Sequence, residues 1–184
     1  MHTESPKNMI KRDDCLLVII DAQEKLTPAL TGPDEMTANI VRLARFAGIA
    51  GIPVIVTEQE KLGLTVSSVR DALPSADPVK KVHFNCFSCH DFRDRVHGSG
   101  RKTLILTGAE AHICVTQTAL HARPEYNVHV VADAISSRVL ENKQIALQRM
   151  AGAGAVITST EMFIYEILER AGTDEFKATL ALVK

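Results

Sequence analysis

One short segment constrains this chain more than any other: Cys15-Leu-Leu-Val-Ile-Ile-Asp21, six residues of apolar character that run without a break into a carboxylate. A strand exposed to water on one side alternates apolar with polar residues. A strand apolar at every position has to be covered on both faces, and that is the signature of a parallel sheet sandwiched between helices. The rest of the chain repeats the pattern. Pro53 to Thr57, a weaker run from Pro78 to Phe84, Thr103 to Thr107, Asn127 to Ala132 and Ala155 to Thr158 predict five more strands. Helical periodicity fills the gaps between them. The first helix starts near Asp34, carries Ile40, Leu43, Ala44 and Ala47 on one stripe, and stops at Gly48 and Gly51. Thr160 to Leu168 predicts another, followed by a helical tail after Gly172.

Right-handed crossovers place such helices on both sides of an open twisted sheet. The expectation is a three-layer α/β/α protein, a single domain over residues 1–184, because no linker or repeat offers a boundary. At 46% hydrophobic and 23% charged residues the chain has the composition of a folded globular protein. Lys plus Arg number 21 and Asp plus Glu 22, so there is no basic surplus for phosphate contacts. With 4% aromatics and no Trp there are few platforms for stacking bases, and nucleic acid is not an expected partner. The start, MHTESPKNMIKRDD, is polar where a secretory leader is apolar, and no segment is long and apolar enough for a membrane span. A cytoplasmic location is expected, with no membrane partner.

Ligands of open parallel sheets bind beyond the carboxyl ends of the strands, so chemistry is sought there. The turn after the first strand, Asp21-Ala-Gln-Glu-Lys-Leu, has no glycine and an acid that repels phosphate, which excludes a nucleotide-binding loop. The glycines of His97-Gly-Ser-Gly100 and Ala151-Gly-Ala-Gly154 precede strands and read as helix-to-strand turns. Asp21 is either a turn residue or a functional carboxylate. Cys114 follows a strand and a glycine turn where a helix begins, a place that favours a thiolate, although a buried packing cysteine is the alternative. His112 is a poor base for it, since residues i and i+2 of a helix point apart; it is structural or lines the pocket. Lys81, taken alone, reads as a surface lysine. Cys86-Phe-Ser-Cys89 is a C-x-x-C flanked by His83 and His90, but no second ligand pair completes a zinc site. A dithiol redox role is the rival reading, and chance within a packed segment the preferred one. No metal and no cofactor is expected.

Three placed motifs carry a resemblance to a known family: Leu17-Val-Ile-Ile-Asp-Ala-Gln23, Lys81-x-x-Phe84 with Phe87, and Gly108-Ala-Glu-Ala-His-Ile-Cys-Val115. The sequence resembles the isochorismatase-like cysteine hydrolases over nearly its whole length. Thr57-Glu-Gln59 followed by Leu62-Gly-Leu-Thr65 is similar to the branch of isochorismatase-domain-containing proteins. The resemblance implies a six-stranded parallel sheet in order 3-2-1-4-5-6. It implies Cys114 as nucleophile, Asp21 as base and Lys81 as the cation that holds the pair ionised. It also implies a cis peptide at Ala109–Glu110 and an oxyanion hole from the N–H groups of Glu110 and Cys114. Nicotinamidases of this family add an Asp-x-His after the second strand; Thr57-Glu-Gln-Glu-Lys61 has none, which disfavours a metal-dependent enzyme. Family members that cleave an enol ether lack the cysteine, so amide or related acyl chemistry is expected here. Gln59, Leu64, Phe84, Phe87 and His112 are candidate walls for a small-molecule substrate. A homo-oligomer is expected, since the family assembles and the apolar segment Ala178 to Val183 would otherwise be a loose tail. Three functions compete: a thiol amidase, a dithiol redox protein using Cys86 and Cys89, and a silent binding module.

Overall fold

A computed structural model describes residues 9–183. The polar stretch Met1 to Asn8, on which the expectation of no leader rests, and Lys184 lie outside the described residues. Six parallel strands form one sheet in the order β3-β2-β1-β4-β5-β6. They are β1 (Cys15–Ile20), β2 (Val54–Gln59), β3 (Val79–Lys81), β4 (Thr103–Ala109), β5 (Asn127–Ser136) and β6 (Val156–Thr158). The helices are α1 (Pro33–Ala50), α2 (Ser67–Ala72), α3 (His90–Ser99), α4 (Thr116–Ala122), α5 (Leu140–Gly152), α6 (Thr160–Leu168) and α7 (Asp174–Val183).

Strand β1 shows why the apolar run matters. Leu17 and Ile19 enter a core built with α1 and α6, while Leu16, Val18 and Ile20 enter a second core with α3, α4 and α5. Each of these five side chains is fully buried, and each such burial is worth about 1.5–3 kcal/mol. With both faces spent on packing, β1 carries its only polar group at its end.

Several boundaries differ from expectation. Helix α1 runs through Gly48 and stops at Gly51, whose φ of 68° lets its N–H turn back to Ala47 O. Strand β3 ends at Lys81, three residues earlier than the run to Phe84 would allow: its ladder with β2 closes where Gln59 meets Lys81, and Val82 and Phe84 project into solvent beyond it. Strands β4 and β5 extend past a bulge between Leu106 and Gly108. Gly108 has φ 103°, and a Cβ there would stand 1.9 Å from Ile20 O. Only glycine lets β4 pass this close to the end of β1.

The C-terminal segment is not a loose tail. Phe176, Leu182 and Val183 pack against the core of α1 and α6, and Arg42 Nε donates to Leu182 O at 3.0 Å. The apolar face of α7 is therefore spent within the chain and gives no reason for assembly.

Candidate active site

At the carboxyl edge of the sheet, β1 turns sharply into Asp21, which adopts φ 51°. Strand β2 beside it, and β3 beyond β2, bring Thr57 and Lys81 to the same place. Lys81 Nζ lies 2.6 Å from Asp21 Oδ2, and Thr57 Oγ1 donates to Asp21 Oδ1 at 2.7 Å. Both carboxylate oxygens are thus held. Lys81 also donates to Gln59 Oε1 at 2.8 Å and to His83 O at 3.3 Å. On its remaining side, Nζ stands 3.9 Å from Cys114 Sγ. The structure brings Asp21, Lys81 and Cys114 together from β1, the end of β3 and the turn after β4. The lysine side chain has 0% exposure, so the surface reading that its sequence context favours is wrong. A sequence without partners cannot show that a cation will be buried against a carboxylate sixty positions away.

Burial opposes the charge on Lys81, yet Asp21 and the nearby thiols Cys86 and Cys114 outweigh it and raise its pKa. Cys114 is pushed well above the ordinary thiol range, first by burial and then by the Asp21 carboxylate, with Lys81 only partly offsetting them. The resting site is therefore a neutral thiol beside a closed ion pair, in place of the standing thiolate that a helix start and a lysine suggest. Ionisation of Cys114 requires that its proton have somewhere to go, and Asp21 is the adjacent carboxylate.

Cys114 sits in a π-helical turn, Ala111–Val115, ahead of α4. The N–H groups of Ile113 and Val115 both donate to Glu110 O, at 3.0 and 3.3 Å. That pair of bonds skips the N–H of Cys114 between them. The Ala109–Glu110 peptide is cis. The Glu110 carboxylate is turned away to Arg138, accepting from its backbone N–H at 2.9 Å and from Nε at 3.1 Å.

The expected pocket walls separate into groups. Gln59 touches Lys81 and belongs to the site. His112 pairs through Nδ1 with Ser137 Oγ at 2.9 Å, away from the thiol. Phe87 is a core residue and not a wall: it is 3% exposed, stacked on His121 at 5.0 Å and edge-on to Phe92 at 5.1 Å. Leu64 lines a cavity with Glu58, Thr65 and Arg70; Glu58 alternates with Thr57 and Gln59 along β2, so this cavity lies on the opposite face of the sheet from Cys114. Phe84 is exposed beyond the edge strand.

Two residues that the sequence reading did not single out support the site. Thr57 is one. Gln23 is the other: fully buried, it accepts from Gln59 N and donates through Nε2 to Gln59 O and Gly63 O, at 2.8, 3.0 and 2.7 Å. An amide two residues past the strand-end acid was the available signal, since a buried polar side chain needs partners.

Cys15, Cys86, Cys89 and Cys114 are all unbonded thiols. Burial pushes Cys86 up to about 11, and its N–H donates to Thr118 Oγ1 at 3.0 Å. Cys89 is half-buried, with Sγ 3.7 Å from Lys80 O. Among the described residues no group of three His, Cys, Asp or Glu side chains is placed to hold a metal ion, and no helix is long and apolar enough to cross a membrane.

Comparison with known proteins places this geometry in context. The isochorismatase domain matches residues 15–162. The chain is 39% identical over 179 residues to the secreted isochorismatase effector Isc1 of Phytophthora sojae, covering 92% of this chain and 84% of that one. Among solved structures it is similar to the MAR1 ribonuclease of Caenorhabditis elegans, at 32% identity and TM-score 0.89 over 95% of this chain and 92% of that one. It is also similar to YcaC of Pseudomonas aeruginosa, described with hexane-2,5-diol and covalent acrylamide, at 25% identity and TM-score 0.89 over 97% and 93%. A domain match across most of the length, a relative of this identity and coverage, and a shared strand order agree: the chain belongs to the isochorismatase family of hydrolases.

Proposed function

We propose that this protein hydrolyses a small amide, or a related acyl compound, through a thioester on Cys114. The observation that carries the reading is the buried ammonium of Lys81 in reach of both Asp21 Oδ2, at 2.6 Å, and Cys114 Sγ, at 3.9 Å. As sulfur attacks the carbonyl carbon, the thiol proton passes to Asp21. The carbonyl oxygen gains the negative charge beside the N–H groups of Cys114 and Glu110. Collapse breaks the C–N bond, and the proton on Asp21 leaves with the amine or ammonia. Asp21, again a carboxylate, takes a proton from water, whose oxygen attacks the thioester; the acid is released and the thiol is restored. Lys81 remains protonated throughout. It keeps Asp21 ionised between turns and offsets the charge that develops on sulfur.

The covalent acrylamide described for the related YcaC supports a small amide as a fitting guest for this fold. The ribonuclease relative raises RNA as a substrate, but the balance of 21 basic to 22 acidic residues argues for a small neutral or acidic molecule instead. Four unbonded thiols fit a reducing compartment such as the cytoplasm. Homo-oligomerisation stays part of the proposal; its support is the exposed apolar set Val82, Phe84, Val139, Leu140 and Ile145, not α7.

The test is ammonia release from a panel of small amides, with RNA degradation measured alongside. Cys114→Ala should abolish release, while the double variant Cys86→Ser/Cys89→Ser should leave it intact. Retained hydrolysis in Cys114→Ala, or its loss in the double variant with the fold preserved, overturns the assignment.

A further inference from the structure

A cavity of about 200 Å³ opens at the other edge of the sheet, where β4, β5 and β6 begin. It is lined by Thr103, Arg123, Asn127, His129 and Gly154, with Ile10 above them. The length of β4 separates it from Cys114 by roughly 20 Å, so it is no part of the hydrolytic site.

Two features here are not explained by packing. His129 stands between Val128 and Val130 in β5, 5% exposed, and its Nδ1 is sealed from solvent with no hydrogen-bond partner among the described residues. Whichever tautomer the ring adopts, a donor or an acceptor is wasted inside the protein, a cost that a valine at the same place would avoid. Arg123 is the second. Its guanidinium is anchored by carbonyls alone, Nε donating to Gly154 O at 2.6 Å and Nη1 to Tyr126 O at 3.2 Å. Gly154 has φ 90°, and a Cβ there would stand 3.1 Å from Nε and Nη2, so the lack of a side chain leaves room for the guanidinium. An arginine fixed by neutral groups keeps its full charge for another partner.

Two carboxylates beside the cavity are held in place by neutral donors. Asp14 accepts from Thr103 Oγ1 at 2.8 Å and from Lys102 N at 3.0 Å. Glu166 accepts from Ile10 N at 2.8 Å. The ammonium of Lys102 lies over the Tyr126 ring. Among the described residues Arg123 is the cation that lines the space. Burial, with Arg123 beside it, pushes His129 down to about 4, so the ring is a neutral donor at pH 7.

We propose that this cavity binds a small oxyanion, a carboxylate or a phosphate group, held by Arg123 and Asn127 beside the His129 ring. The space admits the anionic group and a few further atoms, which makes it a regulatory or carrier pocket at the edge remote from the thiol. The test is a titration of the full-length protein with inorganic phosphate and, separately, with acetate, read by NMR of labelled histidine side chains. At least one probe should shift the His129 ring signals saturably, and which one does so separates the two sources. Arg123→Met should weaken that binding about tenfold or more. Asn127→Ala, at an exposed position with little bearing on folding, should weaken it several-fold, and Cys114→Ala should leave it unchanged. The inference is overturned if neither probe moves His129 up to tens of millimolar, if both cavity variants bind as the parent does, or if Cys114→Ala abolishes the shift.

Discussion

Replacing Lys81 by Met exposes the physics of the site most directly. The methionine is close in length to the lysine stem, so the chief loss is the charge. In the parent protein the side chains of Lys81 and Asp21 are 0% and 1% exposed and 2.6 Å apart. Removing one partner of such a pair leaves a buried carboxylate held only by neutral groups, the Thr57 hydroxyl and the Cys114 thiol, and costs about 3–5 kcal/mol. For a chain of this size that lowers Tm by roughly 6–20 °C. Urea unfolding of parent and variant at pH 8 reads this out as a difference in ΔG. Adding Asp21→Asn to Lys81→Met should restore much of the stability at pH 8, because a neutral pair carries no stranded charge. A penalty under about 1 kcal/mol at pH 8, or a double variant no better than the single, would refute the buried ion pair as the organising interaction.

Further outcomes are expected. Asp21→Asn should lose amide hydrolysis while alkylating faster at Cys114 with iodoacetamide at pH 8: the amide cannot take the thiol proton, but removing the carboxylate removes one of the forces that raise the thiol pKa. Slower alkylation would mean that Asp21 does not face the sulfur. In the parent, Cys114 alkylation should climb with pH through the alkaline range, and Lys81→Met should move that rise to higher pH, since Lys81 is the group that lowers the thiol. Gly108→Ala should fail to accumulate as soluble protein, or lose of the order of 4 kcal/mol in urea unfolding, because its Cβ would stand 1.9 Å from Ile20 O. Gln23→Met should cost about 2–4 kcal/mol by stranding the backbone groups at the end of β2, and should lower kcat through Gln59 and Lys81.

Much of this protein is legible in its sequence, where the information is local. An apolar run that ends on an acid, with helical stripes between β-branched runs, is enough to give a parallel sheet, its layers and the edge at which to look. The exposed edge of β3 and the reach of β4 and β5 are not legible, because ladders end where partners end: Gln59 closes β3 at Lys81, and Ile135 and Ser136 carry β4 on past Gly108. Phe87 and Leu64 looked like pocket walls because an aromatic or apolar residue near a strand end looks the same whether it faces a ligand, a core or the other side of the sheet. Burial divides them, and burial belongs to the whole fold. Asp21, Lys81 and Cys114 could be named one by one, with Lys81 reached only through a family likeness. Their meaning is decided in three dimensions, where the ends of β1 and β3 and a turn after β4 meet out of water. There a lysine keeps its charge because a carboxylate lies against it, and a thiol stays neutral because the same carboxylate stands near. Charge in a low-dielectric interior is set by neighbours a few ångströms away, and those neighbours are distant in sequence.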